Sequence, residues 1–214
     1  MDYDALRLKM VEDQIASRGI DDPRILAAFR KVPRHLFIEE SMRGRAYGDY
    51  PLPIGDKQTI SQPYTVAVMT QALELKGQEK ILEVGTGSGY QTAILLELVD
   101  AVYSIERIDS LADQAEKLLK ELGYSRFSIH LTDGSRGWPE EAPFNAILVA
   151  AGAPKIPKSL VDQLAPNGRL VIPVGDEYVQ TMMRITKLKS GKIKEEDLGS
   201  FRFVGLIGEQ GWKR

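Results

Sequence analysis

Apolar positions at Leu8, Val11 and Ile15, preceded by Ala5 and Leu6, recur at helical spacing, and Gly19 ends the pattern, so a helix is predicted over residues 4–18. A short second helix is predicted over 22–29, with Pro23 in its first turn. VPRHLF (32–37) and YPLPIGDKQTISQP (50–63) are rich in Pro and Gly and read as loops with brief turns. The helical period returns over 63–75, with Val66, Met69 and Leu73 on one face. From residue 79 the rhythm becomes strand, helix, strand. KILEV, AVYSIE, FSIHLT, FNAILVAA and GRLVIPV read as strands, and SGYQTAILLELV, DSLADQAEKLLKELG and PKSLVDQLAP as the helices between some of them. That alternation predicts a doubly wound α/β fold, a mostly parallel sheet covered by helices on both faces. Residues 178–207 read as a hairpin turning at Ser190-Gly191 plus a further edge strand, antiparallel additions to the sheet.

A chain of 214 residues, 43% hydrophobic, has enough apolar material for one sizeable core. We therefore expect a single domain. Its parts are an N-terminal helical and loop region (1–78) that contributes to the active site, a cofactor-binding core (79–175) and C-terminal antiparallel strands (176–214). Net charge is −2, so no broad basic field grips nucleic acid, and no nucleic-acid partner is expected. With no cysteine there is neither a disulfide nor a thiolate nucleophile nor a cysteine zinc site, and no metal is expected. The charged start MDYDALRLKMVEDQ lacks a signal-peptide core, and no apolar run approaches membrane length. The expectation is a cytoplasmic monomer without a membrane partner.

Chemistry concentrates in ILEVGTGSGYQTA (81–93), where Gly85, Gly87 and Gly89 alternate between a strand and a helix. A triphosphate loop needs a lysine that this stretch lacks, and Gly-x-Gly-x-Gly is one residue short of the dinucleotide fingerprint. Glu83, two residues before Gly85, disfavours a pyrophosphate and suits an ammonium or another donor. Glu106 ends the next strand, where an acid accepts from ribose hydroxyls, and Asp133 ends the third. Each acid alone has a plainer role as a helix cap, Asp133 most of all. Together, at the carboxyl ends of three successive strands, they describe a pocket for a nucleoside with a cationic amino-acid end and no phosphate. S-adenosylmethionine has that character.

EVGTGSG resembles the first motif of the seven-strand methyltransferases, with Glu106 as the ribose acid and Thr132-Asp133-Gly134 as the segment beside the adenine. Over nearly its whole length the chain resembles the protein-L-isoaspartate O-methyltransferase family. The carriers are VPRHLF (32–37), AYGDYPLPIGDKQTISQP (46–63), ILEVGTGSGYQTAIL (81–95), LTDGSRGWPEEAPFNAILV (131–149), APNGRLVIPVG (165–175) and FRFVGLIGEQGW (201–212). The resemblance implies repair of aged proteins. A methyl group passes from S-adenosylmethionine, leaving S-adenosylhomocysteine, to the free α-carboxylate of an L-isoaspartyl residue, and the ester returns through succinimide toward aspartyl. It further implies Ser61 as the active-site serine. Cofactor contacts would come from Gln58, Thr59 and Ile60, from Gly85, Thr86, Gly87, Ser88 and Gly89, from Glu106 and Arg107, and from Asp133 and Gly134, with Glu83 beside them. Val204 and Leu206 would lie along the substrate peptide. Between them stands Gly205, where many relatives carry proline, and a looser backbone is expected there.

His35 falls in a loop and His130 on a strand, and neither sits in a Ser-His-Asp pattern. Trp138 and Trp212 read as packing residues, and the 187–197 charge run as a solvated hairpin. The alternatives are a methyltransferase acting on RNA or a small molecule, an NAD-dependent oxidoreductase, and a non-catalytic binding module.

Overall fold

The computed structural model describes residues 1–213. Helix α1 (Tyr3–Met10) starts under Asp2, whose carboxylate accepts from the Ala5 N–H at 3.0 Å. The predicted single helix continues as a wide π turn over Val11–Ile15 and a 3₁₀ turn over Ala16–Arg18 before Gly19 closes it at φ 90°. The wide turn inserts one residue, which brings Met10 and Val11 inward together with Ile15, all three essentially unexposed. Helix α2 (Pro23–Lys31) is capped by Asp22.

The 50–63 stretch, read as loop, contains a short hairpin, β1 (Leu52–Gly55) and β2 (Gln58–Ile60). Its turn residues Asp56 and Lys57 both have positive φ, at 49° and 58°. That conformation is usually announced by Asn-Gly, which is why the hairpin was invisible in the sequence. Helix α3 (Pro63–Ala72) ends earlier than predicted because Glu74 turns left-handed, at φ 50°.

The core follows as β3 (Ile81–Val84), α4 (Tyr90–Leu96), β4 (Val102–Glu106), α5 (Asp109–Glu121), β5 (Phe127–Leu131), β6 (Phe144–Val149), α6 (Lys158–Asp162) and β7 (Leu164–Gly175). Strands β8 (Gln180–Lys187) and β9 (Ile193–Phe201) complete one seven-stranded sheet in the order β5-β4-β3-β6-β7-β8-β9. The first five of these run parallel, β8 runs antiparallel to β7, and β9 antiparallel to β8. All four residues of β3 are buried, as a strand covered on both faces requires. Ile81, Ala146 and Leu148 pack toward the N-terminal helices, α3 and α4, whereas Leu82, Ile147 and Val149 pack toward Leu160 of α6. The doubly wound fold is therefore as the alternation predicted.

The further edge strand expected after the hairpin does not form. Residues 202–213 leave the sheet edge and cross the carboxyl ends of the parallel strands, held by isolated bridges between Gly205 and Gly152 and between Ile207 and Trp212. No helix among the described residues is long and apolar enough to cross a membrane.

Candidate active site

The chain runs outward from β3 through β4 to β5, then returns to place β6 on the other side of β3. A crevice opens at such a reversal, at the carboxyl ends of the strands. The glycine loop fills its mouth. Gly85 and Gly87 take φ of 96° and 54°, which side chains rarely tolerate. The loop folds back so that the Gly85 and Thr86 N–H groups donate to the Ile105 carbonyl, at 2.8 and 3.2 Å. Glu106 then fixes it. Its Oε2 accepts from the Gly87 N–H at 2.9 Å, and its Oε1 from the N–H groups of Arg107 and Ile108, at 2.8 and 3.0 Å.

A cleft lies over this loop. Gln58, Thr59, Ile60 and Ser61 form one wall, and Val204 and Leu206 another. Gly85, Thr86, Gly87, Ser88, Glu106, Arg107 and Gly134 contribute the base and rim. At Gly134 a Cβ would stand 2.5 Å from the Val84 side chain, so only glycine lets that backbone close on the floor.

Three sequence candidates sit elsewhere. Glu83 is wholly buried beneath the loop, and its Oε2 accepts from the hydroxyls of Thr92 (2.6 Å) and Ser104 (2.8 Å). Ser104 in turn meets Thr86 Oγ1 at 2.6 Å, so Glu83 braces the loop from behind and does not face a ligand. Gly89 packs on α5, where a Cβ would meet Ala115 and Leu119 at 3.3–3.4 Å. Asp133 turns its carboxylate away from the cleft. It accepts from the Ser135 N–H and hydroxyl and from the Glu209 N–H, thereby tying down the C-terminal segment. Burial alone would raise its pKa, but these donors outweigh burial and hold it below the usual carboxylate range.

Glu83 carries a pH prediction. Burial pushes its pKa up to about 7, against the two hydroxyl donors and with help from the Glu106 charge. The folded state therefore keeps the Glu83 proton to higher pH than the unfolded chain does. That contribution to stability is complete below the ordinary value of 4.5 and is lost as pH rises through about 7. Glu83→Gln should remove the dependence, gaining up to about 3 kcal/mol over the parent at pH 8 and little at pH 4.5. Melting curves of both proteins from pH 4.5 to 8 test it. A stability difference that does not change with pH would refute it.

Ser61 stands where the cleft joins a second, wider groove, and its hydroxyl bonds to nothing within the described residues. Ser61 does not cap the helix that follows it, because Gln62 holds the N-cap position of α3. Arg107 is exposed at the same junction, its guanidinium also without a partner among the described residues. Gly205 is not loosened. The Gly152 N–H donates to the Val204 carbonyl and the Leu206 N–H to the Gly152 carbonyl, both at 2.8 Å. The Trp212 indole donates to the same Gly152 carbonyl at 3.1 Å and lies so close to Gly205 that a Cβ there would meet it at 3.0 Å. Trp212, read as a loop-packing residue, thus seals the groove floor. Trp138 stacks on His130 at 4.7 Å on the far edge of the sheet.

Sequence reasoning missed Ile54, Met69, Tyr90 and Ala150, which also line the cleft. Tyr90 directly follows the glycine loop and was the one with a signal. Its ring meets Phe37 and Phe29 edge-on, with the buried Arg34 guanidinium 5.0 Å behind it. Among the described residues no group of His, Cys, Asp or Glu is arranged to hold a metal ion.

The sheet order, the glycine loop clasped by Glu106 and the strand-end cleft are together those of the seven-strand methyltransferase class. The profile of the protein-L-isoaspartate(D-aspartate) O-methyltransferase family matches residues 6–211. This chain belongs to that family. It is 58% identical over 208 residues to a protein-L-isoaspartate O-methyltransferase of Syntrophus aciditrophicus, covering 96% of this chain and 95% of the relative. It is likewise 58% identical over 213 residues to the one from Trichlorobacter lovleyi, covering 100% and 98%. Among solved structures, a protein-L-isoaspartate O-methyltransferase from Plasmodium falciparum, in complex with S-adenosyl-L-homocysteine, superposes with a TM-score of 0.81 at 29% identity, over 94% of this chain and 98% of that one.

Proposed function

We propose that this protein methylates the free α-carboxylate of L-isoaspartyl residues in damaged proteins and peptides, using S-adenosylmethionine. The observation that carries the reading is the junction at Ser61. One cleft suited to a nucleoside and one open groove suited to a peptide meet at a hydroxyl with no partner among the described residues.

The cleft fits the cofactor chemically. Glu106 offers carboxylate oxygens to ribose hydroxyls, Val84, Ile105 and Ile108 offer apolar surface to a base, and the glycine loop has no lysine for a phosphate. When bound, S-adenosylmethionine supplies a methyl group already activated on sulfonium. The remaining tasks of the chain are positional. A substrate carboxylate has a reference pKa of about 3.9 and is ionised at neutral pH, so no residue has to remove a proton. Ser61 donates its hydroxyl to that carboxylate and aims one oxygen toward the cleft, close to the N-terminus of α3. The wall from β2 and the 204–207 segment exclude water on either side. Holding reactants in line in this way contributes about 7–11 kcal/mol. The reading includes a monomer acting in the cytoplasm on proteins, not on nucleic acid or membranes.

The test uses two peptides differing only in one aspartyl versus L-isoaspartyl linkage, incubated with methyl-labelled S-adenosylmethionine. Base-labile label is expected on the isoaspartyl peptide alone. Label on neither, with cofactor binding intact by calorimetry, would overturn the substrate and turn attention to RNA or small acceptors.

A further inference from the structure

The turn between β7 and β8 exposes two large apolar side chains, Tyr178 at 72% and Val179 at 55%, and both line the open groove that meets Ser61. This turn is firmly built. Asp176 accepts from the N–H groups of both Tyr178 and Val179 at 2.8 Å. Gln180, only 2% exposed, donates to the Asp176 carbonyl and accepts from the Phe203 N–H at 2.8 Å. Its side chain thereby fastens the turn to the segment that becomes the groove wall at Val204. Half-buried Phe201 and Phe203 line the same groove and extend the apolar surface toward Ser61. Exposed apolar groups on a rigid scaffold mark a contact surface more strongly than the same groups on a loose loop.

We infer that Tyr178 and Val179 form a specificity subsite for an apolar side chain flanking the methyl-accepting residue. The inference rests on the proposed peptide substrate and assigns a side-chain preference to it. Its occupant is the acceptor peptide because the groove is continuous with the junction at Ser61, Gln58 and Thr59, where the accepting carboxylate must lie. The main chain would follow the 204–207 wall, and one neighbouring side chain would reach the turn. Covering an apolar side chain there gives a preference of roughly tenfold for Leu or Phe over Ser at one flanking position.

The experiment compares isoaspartyl peptides in which each position within three residues of the isoaspartate is Ser or Leu. The enzymes are the parent and the double variant Tyr178→Ser, Val179→Ser. In the parent, kcat/KM should rise about tenfold for Leu at one position, mostly through KM. In the variant that preference should collapse, while kcat/KM on the all-Ser peptide and KM for S-adenosylmethionine stay unchanged. No preference in the parent, or an equal loss on every peptide, overturns the subsite. If the parent methylates no isoaspartyl peptide at all, the proposed function itself has failed and the subsite falls with it. Sedimentation of both proteins completes the test. A parent dimer that the variant dissolves would assign the patch to a second copy of the chain instead.

Discussion

Glu106→Ala is expected to raise the dissociation constant for S-adenosylmethionine by about a thousandfold, near 4 kcal/mol, because several charge-assisted hydrogen bonds of about 1.5–3 kcal/mol each depend on this one carboxylate. One oxygen holds the Gly87 N–H and the other holds those of Arg107 and Ile108. Without them the loop loses the clasp that sets its left-handed glycines, and the ribose hydroxyls lose their acceptor. The isosteric Glu106→Gln should also fail. Both oxygens accept from backbone N–H groups, so either orientation of the amide sets a donor against a donor. Calorimetric titration with S-adenosylmethionine measures the effect. Circular dichroism separates it from unfolding, since among the described residues the Glu106 carboxylate bonds only to the residues after its own strand and to the glycine loop. A folded Glu106→Ala protein that binds the cofactor normally would remove Glu106 from the site.

Ser61→Ala should lower kcat by about a hundredfold and leave cofactor affinity within about twofold, the pattern of a group that orients a reactant and binds little. The hydroxyl has no partner among the described residues, and Gln62 rather than Ser61 holds the N-cap position of α3, so its loss breaks no bond among them. Stability should hold, which makes the variant a clean probe. Quenched-flow or steady-state methylation of an isoaspartyl peptide, beside a cofactor titration, reads the two quantities apart. A methylated serine trapped during turnover would show that Ser61 is a nucleophile and defeat the positioning role. An unchanged kcat would leave Ser61 as lining alone.

The acids at the strand ends show how far sequence reasoning reaches. Glu83, Glu106 and Asp133 all lie at the carboxyl ends of parallel strands, Glu83 next to last in β3, Glu106 last in β4 and Asp133 two residues past β5. Spacing could not say which carboxylate turns toward the cleft. Successive strand residues face opposite sides, and each side chain then takes the nearest donors. Glu83 found the hydroxyls of Thr92 and Ser104 below the loop, nine and 21 positions away. Asp133 found the Glu209 N–H, 76 positions away, which nothing local could announce. Glu106 alone met donors within its own turn and the glycine loop while staying on the cleft.

Local pattern therefore determined the order and kind of the core elements, the site at the sheet's switch point and the residue types that make it. Periodicity and glycine placement act over a few residues and survive without the fold. Tertiary structure alone decided the rest. It set the Asp56-Lys57 turn, where packing enforces positive φ on residues that do not advertise it. It drew the last dozen described residues off the sheet edge and across the strand ends, because Gly152, Asp133 and Gly205 offer the Trp212 segment bonds and space that an edge position lacks. It also placed Tyr178 and Val179 at the groove, since only the clamp from Gln180 to Phe203 brings that turn beside Ser61's wall.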